Sequence, residues 1–200
     1  MKPQHVALVL AAGGSTRLGQ PKQLLTREGE TLVHRAARLA IESGALQTFV
    51  VTGADADAIT DAIRDLPCET LDNPHWSQGL SSSLCSAAPR IAQAAAPVLV
   101  LGCDQPALDG AHLAVLLQAS RDATARAAAT TYGDDPGIPA VLPRDWFNDA
   151  DELAGDRGFR KRLHALGTTL ARIDAPRALA LDIDTPADLQ QARELGLIDA

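Results

Sequence analysis

Short apolar runs and longer amphipathic stretches take turns along the chain. The runs HVALVL (5–10), QTFVVT (47–52), PVLVL (97–101), RAAATT (126–131), IPAVL (138–142), TTLARI (168–173) and LALDI (179–183) have strand length and predict strands. Between them, segments 31–43, 55–65, 80–95, 109–121, 156–166 and 186–195 predict helices. Two of these carry start signals: Asp109 before GAHLAVLL, and Thr185 before Pro186, where proline suits a first helical turn. Runs such as VALVL and VLVL are apolar at consecutive positions, which requires a sheet covered on both faces. Strand–helix alternation then gives an α/β protein with a doubly wound, mostly parallel, Rossmann-like sheet. No internal repeat or low-complexity linker interrupts the 200 residues, so one domain, 1–200, is expected.

Composition narrows the function classes. The chain is 46% hydrophobic but only 3% aromatic, so Ala, Leu, Val and Ile must build the core. A net charge of −7 argues against a nucleic-acid partner, which needs a basic face to replace counterions. A small anionic substrate needs only a few local cations. No apolar run reaches membrane-spanning length, and the first one leads straight into a glycine loop, as a first strand does and a signal peptide does not. Cys68, Cys85 and Cys103 are odd in number and far apart, without metal or disulfide spacing, which suits a reducing cytoplasm.

Ligands of such sheets bind at the carboxyl ends of the strands. Here those ends read AAGGSTRLGQPK, TGAD, GCDQP and DIDTP. The first is neither a Walker loop, since Gln20 stands where lysine is required, nor a dinucleotide fingerprint, since G-x-G is absent. It still has the ingredients of an anion site. Glycine lets backbone N–H groups converge, Arg17 can fork two phosphate oxygens, and Lys22 adds a mobile point charge. The alternative is a surface loop with solvated cations. Asp104, at a strand end beside such a loop, is a candidate Mg²⁺ ligand or else a turn cap. Asp182 and Asp184 flank Ile183; Asp184 either completes a metal site with Asp104 or joins Thr185 in capping the last helix. In WSQGLSSSL, Gly79 precedes a helix with three serines in its first turn, and Trp76 is a packing anchor or a stacking surface. GDRG (155–158) leads into a helix carrying Arg160, Lys161 and Arg162, a basic start for an acceptor phosphate or a solvated face. No histidine pairs with a Ser or Cys at an informative spacing, and Cys103 reads as a small buried residue.

LAAGGSTRLGQPKQLL (10–25) resembles the signature loop of nucleotidyltransferases acting on sugar phosphates and molybdopterin. With NPHWSQGLSSSL (73–84), VLGCDQP (100–106), GIPAVLP (137–143), LAGDRGFRKRL (153–163) and DIDTPADL (182–189), the chain resembles the molybdenum cofactor cytidylyltransferase branch over nearly its whole length. The resemblance implies a nucleotide-diphospho-sugar transferase-like fold. It implies that backbone from Ala12, Gly13, Gly14, Ser15 and Thr16 wraps a triphosphate, while Arg17 and Lys22 stabilise the departing pyrophosphate. Leu10, Ala11, Gly79, Ser81 and Ser82 would meet base and ribose, Asp156 the acceptor side, and Asp104 with Asp184 would hold Mg²⁺. The expected reaction joins CTP to the molybdopterin–molybdenum cofactor and releases pyrophosphate. Transient contact with a molybdenum hydroxylase or its maturation chaperone would follow. The family often reads G-H-P where this chain has Gly137-Ile138-Pro139, a change on the acceptor side. Guanylyl transfer, transfer to another phosphorylated acceptor, a non-catalytic cofactor chaperone and an oxidoreductase are the alternatives; the missing dinucleotide fingerprint weighs against the last.

Overall fold

The computed structural model describes residues 4–152, 155 and 158–200. In chain order its elements are β1 (Val6–Leu10), β2 (Thr26–Arg27), β3 (Glu30–Thr31), α1 (Leu32–Glu42), β4 (Thr48–Thr52), α2 (Ala56–Ala62) and β5 (Glu69–Asp72). There follow α3 (Leu80–Ile91), β6 (Val98–Gly102), α4 (Gly110–Asp122), β7 (Ala128–Tyr132), β8 (Asp135–Leu142), α5 (Arg160–Ala165), β9 (Ala171–Asp174) and α6 (Pro186–Glu194). Seven strands form one sheet in the order β5-β4-β1-β6-β8-β7-β9, and β2 pairs with β3 in a separate hairpin. Only β8 runs against its neighbours β6 and β7. This is the α/β, mostly parallel architecture that the strand–helix alternation predicts.

The period of two explains both faces. Val6 and Leu8 point one way, where they pack with Val98, Val100 and the α3 residues Leu84, Ala87 and Ile91. Ala7 and Val9 point the other way, onto Val33 and Ala37 of α1 and Leu113 and Leu116 of α4. A third cluster, Leu18, Leu32, Ile183, Leu189, Ala192 and Ile198, packs α6 against the glycine loop and the start of α1. It is this cluster that carries the C-terminal aspartates toward the first strand end. Thr185 caps α6 in a reciprocal box with Asp188, and the Asp109 carboxylate accepts the His112 N–H at 2.9 Å to start α4. No helix among the described residues is long and apolar enough to cross a membrane.

The structure differs from expectation at several elements. Segment 179–183 is not a strand: a 3-10 turn over Arg177–Ala180 runs into extended chain, tied to the sheet by the Ile183 N–H donating to the Asp104 carbonyl at 3.0 Å. β5 was not predicted because Leu71 is its single apolar residue; as an edge strand it pairs with β4 alone and needs only one buried side. The β2–β3 hairpin is too short for periodicity to register. The basic helix begins at Arg160, and the part of its predicted span at 156–157 lies outside the described residues.

Candidate active site

The chain leaves β1 at Leu10 and turns through 11–22 as a loop held from within. Gln23, almost fully buried, donates through Nε2 to the carbonyls of Ala11 (2.9 Å) and Gly13 (2.6 Å). Ser15 has a left-handed backbone, φ 47°, unusual for a side chain with a Cβ. Its carbonyl accepts the N–H groups of Leu18 and Gly19, and its hydroxyl donates to Gln23 Oε1 and accepts the Lys22 N–H. Across the loop, Trp76 lies so close to Gly14 that a Cβ there would sit 2.7 Å from the ring. Gly79, with φ 93° and ψ −173°, turns the chain into α3 in a conformation that favours glycine.

Two carboxylates from distant segments meet the loop. Lys22 Nζ donates to Asp104 Oδ2 and to Asp184 Oδ1, each at 2.7 Å, and Arg17 Nη2 donates to Asp184 Oδ2 at 2.9 Å. Burial alone would pull the Lys22 ammonium down, but Asp104 and Asp184 outweigh it and raise its pKa. At Asp184 burial works upward, and Lys22 and Arg17 outweigh it, so that carboxylate is held below its ordinary range. Asp182, two residues away, faces other neighbours. Enclosure by protein atoms and then the nearby Asp104 push its carboxyl up to about 6. Burial pushes the Cys103 thiol up to about 12, which keeps it protonated and unsuited to nucleophilic work.

These groups open onto a cavity of about 700 Å³ lined by Leu10, Ala12, Gly13, Gly14, Ser15, Thr16, Arg17, Lys22, Gly79, Asp104 and Asp184. A second cavity of about 450 Å³ adjoins it, sharing Leu10, Leu80, Asp104 and Ile138. Leu84, Phe159 and Leu163 form one apolar side and Val100, Ala140 and Leu142 of the sheet another, with Gln105, Tyr132, Asp135, Arg160 and Asp182 as polar groups. Gln105 Nε2 donates to the Tyr132 hydroxyl at 2.6 Å, and that hydroxyl donates to the Ile138 carbonyl at 2.7 Å. Arg160 pairs with Asp135 at 2.7 Å.

As for a divalent ion, Asp104 and Asp184 already share one cation between them, so their oxygens converge. Two carboxylates suit an ion such as Mg²⁺, which takes one or two of them and completes its shell with phosphate oxygens and water. Among the described residues no group of three or more His, Cys, Asp or Glu side chains is arranged to hold a metal by itself.

The family profile described as "MobA-like NTP transferase domain" matches residues 7–186. The chain belongs to this family. Its relatives include a protein named nicotine blue oxidoreductase from Paenarthrobacter nicotinovorans, 31% identical over 191 residues, covering 92% of this chain and 93% of that one. Another is named probable molybdenum cofactor guanylyltransferase, from Synechococcus elongatus, 31% identical over 199 residues with 92% and 95% coverage. Among solved structures, Rv0371c from Mycobacterium tuberculosis H37Rv superposes with a TM-score of 0.81 at 26% identity, covering 97% of this chain and all of that one. A manganese complex of Rv0371c superposes at 0.78, also at 26% identity, covering 96% of this chain and 98% of that one. By family, this is a MobA-like nucleotidyltransferase.

Most residues of the loop, the Gly79 turn and the carboxylate pair converge on the MobA-like cavity, but Ala11, Ser81 and Ser82 do not. Ala11 is buried behind it: its N–H donates to Val51 and its carbonyl is taken by Gln23. Ser81 and Ser82 are buried in the first turn of α3 and line neither cavity; Ser82 donates to the Gly79 carbonyl and accepts from Asn73. It is Ser83 that reaches the cavity, because the helical turn rotates it toward the loop. Asp156 lies outside the described residues. Sequence reasoning also missed Gln23, Asn73 and Tyr132. Gln23 and Asn73 are polar and buried, and a buried amide inside a motif is a usable signal, since it must satisfy its hydrogen bonds locally. Tyr132, the chain's single tyrosine, carried none.

Proposed function

We propose that this chain transfers CMP from CTP to the terminal phosphate of the molybdopterin–molybdenum cofactor, releasing pyrophosphate, with Mg²⁺ as its metal. We take residues 1–200 to work as one NTP-transferase domain, in the cytoplasm. The observation that carries the reading is the meeting of Lys22, Arg17, Asp104 and Asp184 over the glycine loop. A triphosphate lying there meets the N–H groups of Gly13 to Thr16, with Arg17 and Lys22 beside its outer phosphates. The acceptor approaches through the second cavity, which adjoins the first at Asp104. Its phosphate oxygen attacks the α-phosphorus of CTP, and pyrophosphate leaves in line toward the two cations. The acceptor phosphate is already anionic, so no side chain has to serve as base. Positioning and charge stabilisation are the protein's part. Asp104 and Asp184 would hold the metal, which when bound supplies positive charge to the reacting phosphates. The manganese complex of Rv0371c supports use of a divalent ion.

The cytidylyl choice rests on the motif set of 73–84, 100–106, 153–163 and 182–189. The guanylyltransferase names of the Synechococcus relative and of one from Opitutus terrae favour a second reading, in which GMP is transferred by the same machinery. The oxidoreductase name of the Paenarthrobacter relative meets no dinucleotide fingerprint in this sequence. Calorimetry with CTP, GTP, ATP and UTP in Mg²⁺ separates the readings. CTP should bind at least roughly tenfold more tightly than GTP, about 1.4 kcal/mol. Tighter GTP binding replaces the cytidylyl reading with the guanylyl one; binding of no nucleotide overturns both.

A further inference from the structure

We propose that Lys22 and Arg17 form a cation latch on the metal-binding carboxylates, and that a triphosphate releases it by drawing both side chains onto its own oxygens. The inference rests on the reading of this cavity as a nucleotide site. Three of the four carboxylate oxygens are engaged by the latch. Asp104 Oδ2 and Asp184 Oδ1 both accept from Lys22, and Asp184 Oδ2 accepts from Arg17. Both oxygens of Asp184 are thus occupied by cations, and a dication brought beside the Lys22 ammonium and the Arg17 guanidinium would be repelled by them.

The parts that hold still and the parts that move are distinct. The carboxylates are anchored through backbone: the Ile183 N–H donates to the Asp104 carbonyl, and the N–H groups of Asp184 and Thr185 donate to Asp188. Lys22 is tied to the loop through its backbone, whose N–H donates to Ser15 Oγ and whose carbonyl accepts the Leu25 N–H, so its side chain can swing without disturbing the turn. Arg17 is 69% exposed and freer still. Both side chains line the cavity that holds the loop amides, so the triphosphate competes for them at the place where they already stand. The two carboxylates alone do not complete a metal shell, and phosphate oxygens would supply what is missing. A nucleotide thus frees the carboxylates and adds ligands at once. By linkage, each partner then tightens the other by the same factor.

The test needs no turnover. Mn²⁺ binding to the nucleotide-free chain is followed by electron paramagnetic resonance of the free ion. Lys22→Met should bind Mn²⁺ at least tenfold more tightly than the native chain, and Arg17→Met severalfold more tightly. Arg160→Met, which removes a cation paired with Asp135 in the second cavity, should leave the affinity unchanged. Arg17 lies on the exposed loop, so its variant decides the matter even if Lys22→Met folds poorly. Equal or weaker Mn²⁺ binding in the latch variants overturns the proposal, as does an equal gain in Arg160→Met. In the second arm, inorganic tripolyphosphate is titrated in excess EDTA. Asp184→Asn, which frees Arg17 and leaves Lys22 held by Asp104 alone, should bind it at least threefold more tightly, and Asp182→Asn should not. No gain in Asp184→Asn, or the same gain in both, overturns the exchange. Failure of the native chain to bind tripolyphosphate at all would sink the nucleotide reading, while the Mn²⁺ arm still decides whether the two cations block the carboxylates.

Discussion

The two cavities meet at Asp104 and are built in opposite ways. The first has one wall made by a continuous stretch, 10–22, whose backbone is set by Gln23 and Ser15 and whose two cations are paired internally with aspartates. The second is made of side chains from β1, α3, β6, β7, β8 and α5, with apolar walls and a surplus of carboxylates over its one arginine. The difference reflects what each can hold. Phosphate is met by N–H groups, which every residue carries, so conformation matters more than side-chain identity. A body lodged between Leu84, Phe159 and Ala140 is held by shape and desolvation, so identity is everything. The first cavity is thus suited to a polyanion, and the second to the less charged part of an acceptor.

The largest effect should come from the cations. Lys22→Ala should lower turnover by roughly 10²–10³, about 2.7–4 kcal/mol, the size expected when one donor to developing charge is lost. The acceptor KM should hardly move, because Lys22 lines only the first cavity. Steady-state kinetics varying each substrate in turn checks this. Near-normal turnover in a folded variant would remove Lys22 from the leaving-group side, and an acceptor KM that rises as much as turnover falls would break the division between the cavities.

Tyr132→Phe is the complementary change. Its hydroxyl, on the second cavity and not the first, links Gln105 to the carbonyl of Ile138, a residue that lines both. Losing it leaves a buried amide and a carbonyl each short of a partner, a loss of about 1–1.4 kcal/mol. The acceptor KM should rise up to roughly tenfold while nucleotide binding measured by calorimetry stays as it was. A matching loss of nucleotide affinity would mean that the two cavities work as one.

The same contrast governs what was legible in the sequence. The loop could be read because its needs are local: Gly13, Gly14, Arg17 and Lys22 stand within ten residues of one another, directly after a strand. Asp104 could be read because a carboxylate ending VLVLGCDQP has few other reasons to be there. Asp184 was legible as a candidate, but its union with Lys22 depends on α6 packing through Ile183 and Leu189 against Leu18, a contact across more than 160 residues. Three serines in one turn could not be ranked by eye, because a rotation of 100° per residue decides which faces the cavity, and that phase is set by Asn73 holding Ser82 and Ser83. The second cavity was scarcely legible beyond Ile138 and Arg160. Leu84, Val100, Ala140 and Leu142 look like core in any sequence, and only the sheet order brings them to one wall.

The smallest effect should come from an ion-pair cluster that touches neither cavity, and it supplies the control for both. Glu30 accepts from Arg38 Nη2 at 2.7 Å and from Arg38 Nε at 2.8 Å, and lies 2.7 Å from His34 Nδ1 at the start of α1. The Arg38 hydrogen bonds, aided by His34 and against the upward push of burial, hold the Glu30 carboxyl down at about 2, against an ordinary 4.5. A carboxyl depressed on folding stabilises the protein above its unfolded pKa, and the benefit is lost as pH falls through the window from 4.5 to about 2. Because these side chains are partly solvated, screening reduces the benefit to about 1 kcal/mol at neutral pH. Glu30→Gln should therefore lower the melting temperature by about 2–4 °C at pH 7. The gap to the native chain should widen slightly as His34 takes up its proton beside Glu30, then close below about pH 4.5 toward pH 2, because native Glu30 is itself then protonated. Thermal unfolding across that range checks the sign: a gap that fails to close between pH 4.5 and pH 2 would mean that Glu30 is not held down by Arg38. Both substrate KM values should be unchanged at pH 7. If one of them moves, the cluster at the start of α1 is coupled to that cavity through Leu32 and the third core cluster, and the site extends further into the fold than its lining.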